Sequence, residues 1–233
     1  MKPRLLDLFC GAGGAAMGYH RAGFDVVGVD RRPQPNYPFE FVQADALLFL
    51  DNIMKDGWYP KPPIRISDFD AIHASPPCPA YSTATGISGD RTAHPDLVGP
   101  VRELLEATGL PYVIENVIGA PVHGPILCGA AFALGADCAD GRWRPLKRHR
   151  RFETNWFLHS NGCACNGREP IGRYGGGTTR HVGRRGYVGD KRESSQALGI
   201  DWMTVAELTD AIPPAYTQFI GEQLLAHVQS VAA

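Results

Sequence analysis

A chain of 233 residues, 44% of them apolar, carries enough hydrophobic side chain to bury a core of its own, and its length suits one domain with a small insert. The formal net charge of −1 gives no overall reason to seek a polyanionic partner, and no apolar run approaches the roughly 18 residues of a membrane span. The start, MKPRLLDLFC, passes directly into strand-like sequence without a cleavage-site pattern, and six scattered cysteines do not form the dense framework of a small secreted domain, so a cytoplasmic protein with reduced thiols is expected.

Along the chain, apolar runs alternate with helical material. RLLDLFC (4–10) reads as a first strand, followed by a helix that ends at Gly23; DVVGVD (25–30), EFVQAD (40–45), FDAIHA (69–74) and YVIENV (112–117) read as four more strands. Repeated strand–helix–strand units of this length imply a mainly parallel sheet covered on both faces. PPAYTQFIGEQLLAHV (213–228) has Tyr216, Phe219, Ile220, Gln223, Leu224 and Val228 at helical spacing, with prolines suited to its first turn, so it should pack against the sheet. Between about 153 and 202 the periodicity fades into Gly- and Arg-rich sequence, which reads as the insert. Residues 141 to 192 hold 13 Lys and Arg against 3 Asp and Glu, whereas the rest of the chain holds 10 against 21. Such a basic block on an acidic chain fits an electrostatic footprint for a phosphate backbone.

Chemistry concentrates at strand ends. DLFCGAGG (7–14) leaves the first strand and opens the first helix, where a doubly wound sheet binds nucleotide-like cofactors, and glycine lets backbone approach a ligand closely. Asp30 and Asp45 end the next two strands, in place to accept hydrogen bonds from a nucleoside. The turn lacks the Lys-Ser/Thr pair of a triphosphate site, so an adenosine cofactor without that phosphate chain fits better. In SPPCPAYS (75–82), prolines flank Cys78 and hold it in a stiff turn after the fourth strand. His73, inside the apolar run, reads as a satisfied structural histidine. Cys163 and Cys165 near His159 lack the two-residue spacer of zinc pairs and no second pair follows, so they read as free thiols and no metal is expected.

DLFCGAGG, then PPC, then ENV, with KRHRRFE (147–153) and AIPPAYTQFIG (211–221) after them, resemble the cytosine-C5 DNA methyltransferase family. The resemblance implies a Rossmann-like class I methyltransferase sheet, mainly parallel with an antiparallel edge hairpin, formed by 1–152 and 203–233, plus a small irregular target-recognition insert at 153–202. It implies S-adenosylmethionine as cofactor, leaving as S-adenosylhomocysteine, near Asp7, Phe9, Gly11, Gly13, Gly14, Asp30, Asp45 and Pro77. Cys78 would be the nucleophile, Glu115 the acid partner, and Arg151 the arginine reaching the cytosine carbonyl, with Asn116 holding the loop. The partner would be double-stranded DNA, with no membrane and no required protein partner, and a monomer in a restriction-modification setting is expected. Residues 82–99 would form a lid over a flipped base, with Ser82 and Arg91 near DNA; His149, Arg173, Arg180, Arg184 and Arg185 would meet phosphates or guanines alike.

The sequence departs from the family at Pro79, usually Gln, at Lys147 and His149 in the basic strand, and at Asp210-Ala211, where Gly-Asn is expected. An RNA substrate, a catalytically silent DNA-binding homologue and a nucleotide-level enzyme like thymidylate synthase are the alternatives. The glycine turn and the basic block speak against the last.

Overall fold

The computed structural model describes residues 2–58, 63–77, 96–172 and 187–232. Cys78, Ser82, Arg91, Arg173, Arg180, Arg184 and Arg185 lie outside these.

Five strands are parallel: β1 (Arg4–Leu8), β2 (Asp25–Asp30), β3 (Glu40–Gln43), β4 (Ala71–Ala74) and β5 (Tyr112–Asn116). Two more, β6 (Ile126–Leu127) and β9 (Arg150–Thr154), complete a sheet of order β3-β2-β1-β4-β5-β9-β6, in which β9 runs antiparallel to both neighbours. Between them β7 (Gly135–Asp137) and β8 (Trp143–Pro145) form a separate antiparallel ribbon. The expected parallel sheet with an antiparallel edge is thus the observed one.

The central strands are apolar on both faces because both faces are covered. In β1, Leu6 and Leu8 enter a core with Phe49, Leu50 and Ile53 of α2 (Ala46–Lys55) and Val101 and Leu105 of α3 (Val98–Thr108), while Leu5 enters the opposite core. That second core is built on α1 (Gly14–Ala22) and α6 (Pro214–Ala232), through Tyr19, Tyr216, Ile220 and Leu224. Pro214 opens α6, where a missing N–H is harmless.

A third, smaller core joins Ala136 of β7, Cys138 and Leu146 to Ile171, Ala197 and Leu198 of α4 (Lys191–Leu198), Met203, and Leu208 of α5 (Val205–Asp210). It also includes Ala12 of the glycine-rich turn. Packing therefore runs across residue 152, where the sequence suggested the insert begins. The subdomain is built from both sides of β9 and leans on the turn that follows β1.

The contact between α1 and α6 depends on Gly18: a Cβ there would overlap the Thr217 hydroxyl and the Pro214 carbonyl. Thr217 Oγ1 instead donates to Ala15 O at 2.9 Å. Gly18→Ala should destabilise the fold by about 1–3 kcal/mol, overpacking outweighing the gain in helix propensity. Urea midpoints of the two proteins test this, and an unchanged midpoint would contradict it.

Candidate active site at the carboxyl edge of the sheet

Leu8 is in register with Val29 and Ala74, Asp30 with Gln43, and Ala74 with Ile114. The glycine-rich turn, Asp30, Asp45, Ser75 to Pro77 and Glu115 therefore leave neighbouring strand ends along one edge, the place where open α/β sheets bind ligands.

After Leu8 the backbone enters the left-handed region at Phe9 (φ 58°), Gly11 (φ 49°) and Gly13 (φ 84°). For an aromatic residue this is strain of about 1–3 kcal/mol, kept only where the surroundings impose it. A Cβ on Gly11 would meet nothing within 4 Å among the described residues, so among them this side of the turn is open. The Gly11 N–H donates to Asp30 Oδ2 (3.1 Å), and Asp30 Oδ1 accepts from the Arg32 N–H (2.9 Å), which fixes the carboxylate beside the opening. An open backbone face next to an anchored carboxylate fits the nucleoside part of the expected cofactor.

Other residues expected at the cofactor also have roles in the fold. A Cβ on Gly13 would press on Tyr37 and Pro38, and one on Gly14 on the Ile212 carbonyl, so the protein itself fills the space both glycines leave. Asp7 has no exposed surface and shares the face of β1 that Leu5 turns to the α1–α6 core. Burial, and then the neighbouring Asp30, push its carboxyl well above the usual range. Asp45 is the N-cap of α2, its Oδ1 accepting from the Leu47 and Leu48 N–H groups at 3.0 and 3.1 Å.

Glu115 is the centre of the opposite half of the edge. It is buried, and burial raises its carboxyl above the ordinary value, opposed by Arg150, by a hydrogen bond from Ser75 and by Arg148. Asn116, next in the chain, donates through Nδ2 to Pro76 O at 2.9 Å and accepts the Val117 N–H at 2.8 Å. The stiff turn before Cys78 is thereby fastened to the strand that carries Glu115. Below it runs a hydrogen-bonded chain: Tyr19 Oη to His73 Nδ1 at 2.9 Å, His73 Nε2 to Ser75 Oγ at 2.8 Å, and Ser75 to Glu115. His73 is fully buried and its pKa is lowered to about 3 by that burial, so the imidazole is neutral, in keeping with a structural role.

The arginine at Glu115 is Arg150, not Arg151: Arg150 Nε lies 2.9 Å from Glu115 Oε1. Strand pleating sends Arg150 and Phe152 to the α1–α6 face and Arg151 and Glu153 to the other, where Glu153 pairs with Arg102 of α3 at 2.6 and 2.8 Å. Arg148 and Arg150 alternate along KRHRRFE, as do His149 and Arg151, and the pairing with Glu115 decides between the two sets. Arg148 is buried and donates to the carbonyls of Leu208, Thr209 and Ala211. His149, expected at DNA, instead has Nε2 3.2 Å from Cys163 Sγ. Nor is the basic block wholly free for a polyanion: Arg144, 5% exposed, binds Asp140 through two 2.7 Å bonds and Glu169 at 2.9 Å.

A model of the family described as C-5 cytosine-specific DNA methylase matches residues 3–121, a span that takes in β1 to β5, the proline-flanked Cys78 and Glu115. The chain belongs to this family. It is 30% identical over 127 residues to the type II methyltransferase M.AgeI of Thalassovita gelatinovora, a match covering 50% of this chain and 28% of that relative. Its fold is similar to that of a protein described as a DNA modification methyltransferase encoded within an E. coli prophage (TM-score 0.56, 17% identity, 98% of this chain and 99% of the other). It is also similar to the Entamoeba histolytica methyltransferase EhMeth (TM-score 0.60, 13% identity, 98% and 99%). A third likeness is to the S. pombe Dnmt2 methyltransferase (TM-score 0.55, 13% identity, 97% and 99%). The family member thus has the class I methyltransferase fold.

The neutral buried His73 sets a pH dependence of stability. Its folded pKa lies below its unfolded value of about 6.5, so its contribution is present above that pH and declines as pH falls towards 3, by about 1.4 kcal/mol per unit. His73→Asn should remove this slope. The stability of the native protein minus that of the variant should shrink as pH is lowered from 7.5 to 5, measured by urea unfolding; a constant difference would refute it.

Proposed function

We propose that the protein transfers a methyl group from S-adenosylmethionine to C5 of a cytosine flipped out of duplex DNA, through a covalent adduct between Cys78 Sγ and cytosine C6. The observation that carries this reading is the Asn116–Pro76 bond, which ties the turn leading to Cys78 to the strand end bearing Glu115. A nucleophile and an acid on adjacent, fastened strand ends is the arrangement the reaction needs.

Cytosine C5 is a weak nucleophile because the aromatic ring holds its electrons. Addition of the Cys78 thiolate to C6 makes C5 enamine-like; after methyl uptake, loss of the C5 proton re-forms the double bond and expels the sulfur. An unperturbed cysteine, pKa ~8.5, supplies only a few per cent thiolate at pH 7, so an electropositive surrounding would help. Glu115, its carboxyl raised by burial, is suited to hold a proton and give it to N3 as thiolate addition pushes charge into the ring. Arg150 beside it carries donors suited to the cytosine carbonyl and offsets that charge. The open face at Gly11 and the anchored carboxylate of Asp30 would hold the cofactor, which when bound supplies an electrophilic methyl group.

The relative's type II description and the likeness to a prophage DNA modification methyltransferase support DNA as substrate and a place as the modification half of a restriction-modification pair. RNA is the second reading, and the assay includes it. Labelled methyl transfer should appear on duplex DNA and be absent with tRNA; transfer confined to tRNA would overturn the choice of substrate. Cys78→Ser should abolish transfer, and Glu115→Gln should lower it about 10²–10⁴-fold. Arg150→Gln should lower it about a hundredfold and Arg151→Gln much less, the reverse order contradicting the register described above.

A further inference from the structure

At the sheet edge far from the glycine-rich turn, four ligand-bearing side chains converge. Cys128 follows β6 and is fully buried; His149 precedes β9. The antiparallel register Ile126–Arg151 and Leu127–Arg150, extended by one residue, sets Cys128 opposite His149. Cys163 and Cys165 arrive from the segment that follows β9. Cys128 Sγ lies 3.3 Å from Cys165 Sγ, His149 Nε2 lies 3.2 Å from Cys163 Sγ and 3.7 Å from Cys165 Sγ, and all four ligand atoms fall within 4.8 Å of one another.

We propose that Cys128, His149, Cys163 and Cys165 bind a structural zinc ion. Zinc–sulfur bonds of about 2.3 Å and zinc–nitrogen bonds of about 2.0–2.1 Å at tetrahedral angles set ligand atoms about 3.5–3.8 Å apart, which small adjustments of the observed distances reach. Three thiolates and one imidazole are soft and borderline donors that suit Zn²⁺ rather than Mg²⁺ or Ca²⁺. Four protein ligands close the coordination sphere, so the ion holds structure and leaves no position for a substrate.

The segment also needs such a staple. Residues 161–169 are all exposed, with no apolar side chain buried among them. The hydrogen bonds at Gly162 and Arg168 are local, to Ser160 and Asn166, and the pair of Glu169 with Arg144 anchors only the far end of the segment, beyond the two cysteines. Gly162 and Gly167, at φ 71° and 78°, bend the chain on either side of the two cysteines. Weakly hydrogen-bonding thiols do not by themselves hold an exposed loop against a sheet, whereas metal coordination does. The spacing of Cys163 and Cys165 argued against a metal only because their partners stand 14 to 37 residues earlier and meet them through strand pairing. His159, the histidine near them in sequence, is not part of this cluster; its backbone N–H donates to Gln223 Oε1. The site adjoins Arg150, so the ion would also steady the strand that presents this arginine to Glu115.

The test uses the full chain, purified without a histidine tag or chelator. Elemental analysis should find about one zinc per chain, and replacement by Co²⁺ should give the visible absorption of tetrahedral thiolate coordination. Chelation should expose residues 159–168 to limited proteolysis. The double variant Cys163→Ser, Cys165→Ser should lose the zinc, whereas Cys10→Ser and Cys138→Ser, which alter thiols outside the cluster, should keep it. Native protein free of zinc after purification and unable to take up Zn²⁺ or Co²⁺ would overturn the proposal, as would a Cys128–Cys165 disulfide in place of metal or zinc retained by the double variant.

Discussion

The amide of Asn116 reaching the carbonyl of Pro76 holds the site together. Prolines make the turn after β4 stiff but remove the backbone donors that would otherwise fasten it to the neighbouring strand. A side-chain donor from β5 takes their place, and because β4 and β5 are paired in register from Ile72 and Tyr112, the tie acts between two already fixed strand ends. The backbone leading to the proposed nucleophile is thereby tied to the strand that carries Glu115.

Burial shapes the electrostatics on this foundation. Asp7 and Glu115 each stand one residue inside the end of a strand, where desolvation favours the neutral acid, but among the described residues only Glu115 has a cation against it. Asp7 is fully buried. The Tyr19–His73–Ser75 chain links the helix core to Glu115, so the acid is oriented from below by groups that do not themselves titrate near neutrality. Charge in the basic block is similarly divided: Arg144 and Arg148 are held in internal contacts, and Arg150 pairs with Glu115.

The sheet was legible because its strands are short apolar runs at regular spacing with turn residues between them, and Glu115 and the proline turn were legible because they end such runs. Strand period alone did not reveal which of two adjacent arginines faces Glu115, since KRHRRFE alternates charge on both faces; the carboxylate at Glu153, paired with Arg102, marks the outer one. Glycines in DLFCGAGG look alike in sequence, yet among the described residues nothing stands beside Gly11, whereas Tyr37, Pro38 and Ile212 arrive from distant parts of the chain to fill the places beside Gly13 and Gly14. The Cys128–His149 contact was hidden for the same reason, being made by antiparallel pairing across a ribbon of intervening residues.

The most direct test of the central claim is to incubate the protein with S-adenosylmethionine and duplex DNA in which cytosine is replaced by 5-fluorocytosine, then to map any cross-linked peptide by mass spectrometry. Fluorine cannot leave C5 as a cation, so a stable adduct that requires the cofactor and joins C6 to Cys78 is expected. Absence of an adduct on DNA that the enzyme methylates when unsubstituted, or attachment through a different cysteine, would contradict it.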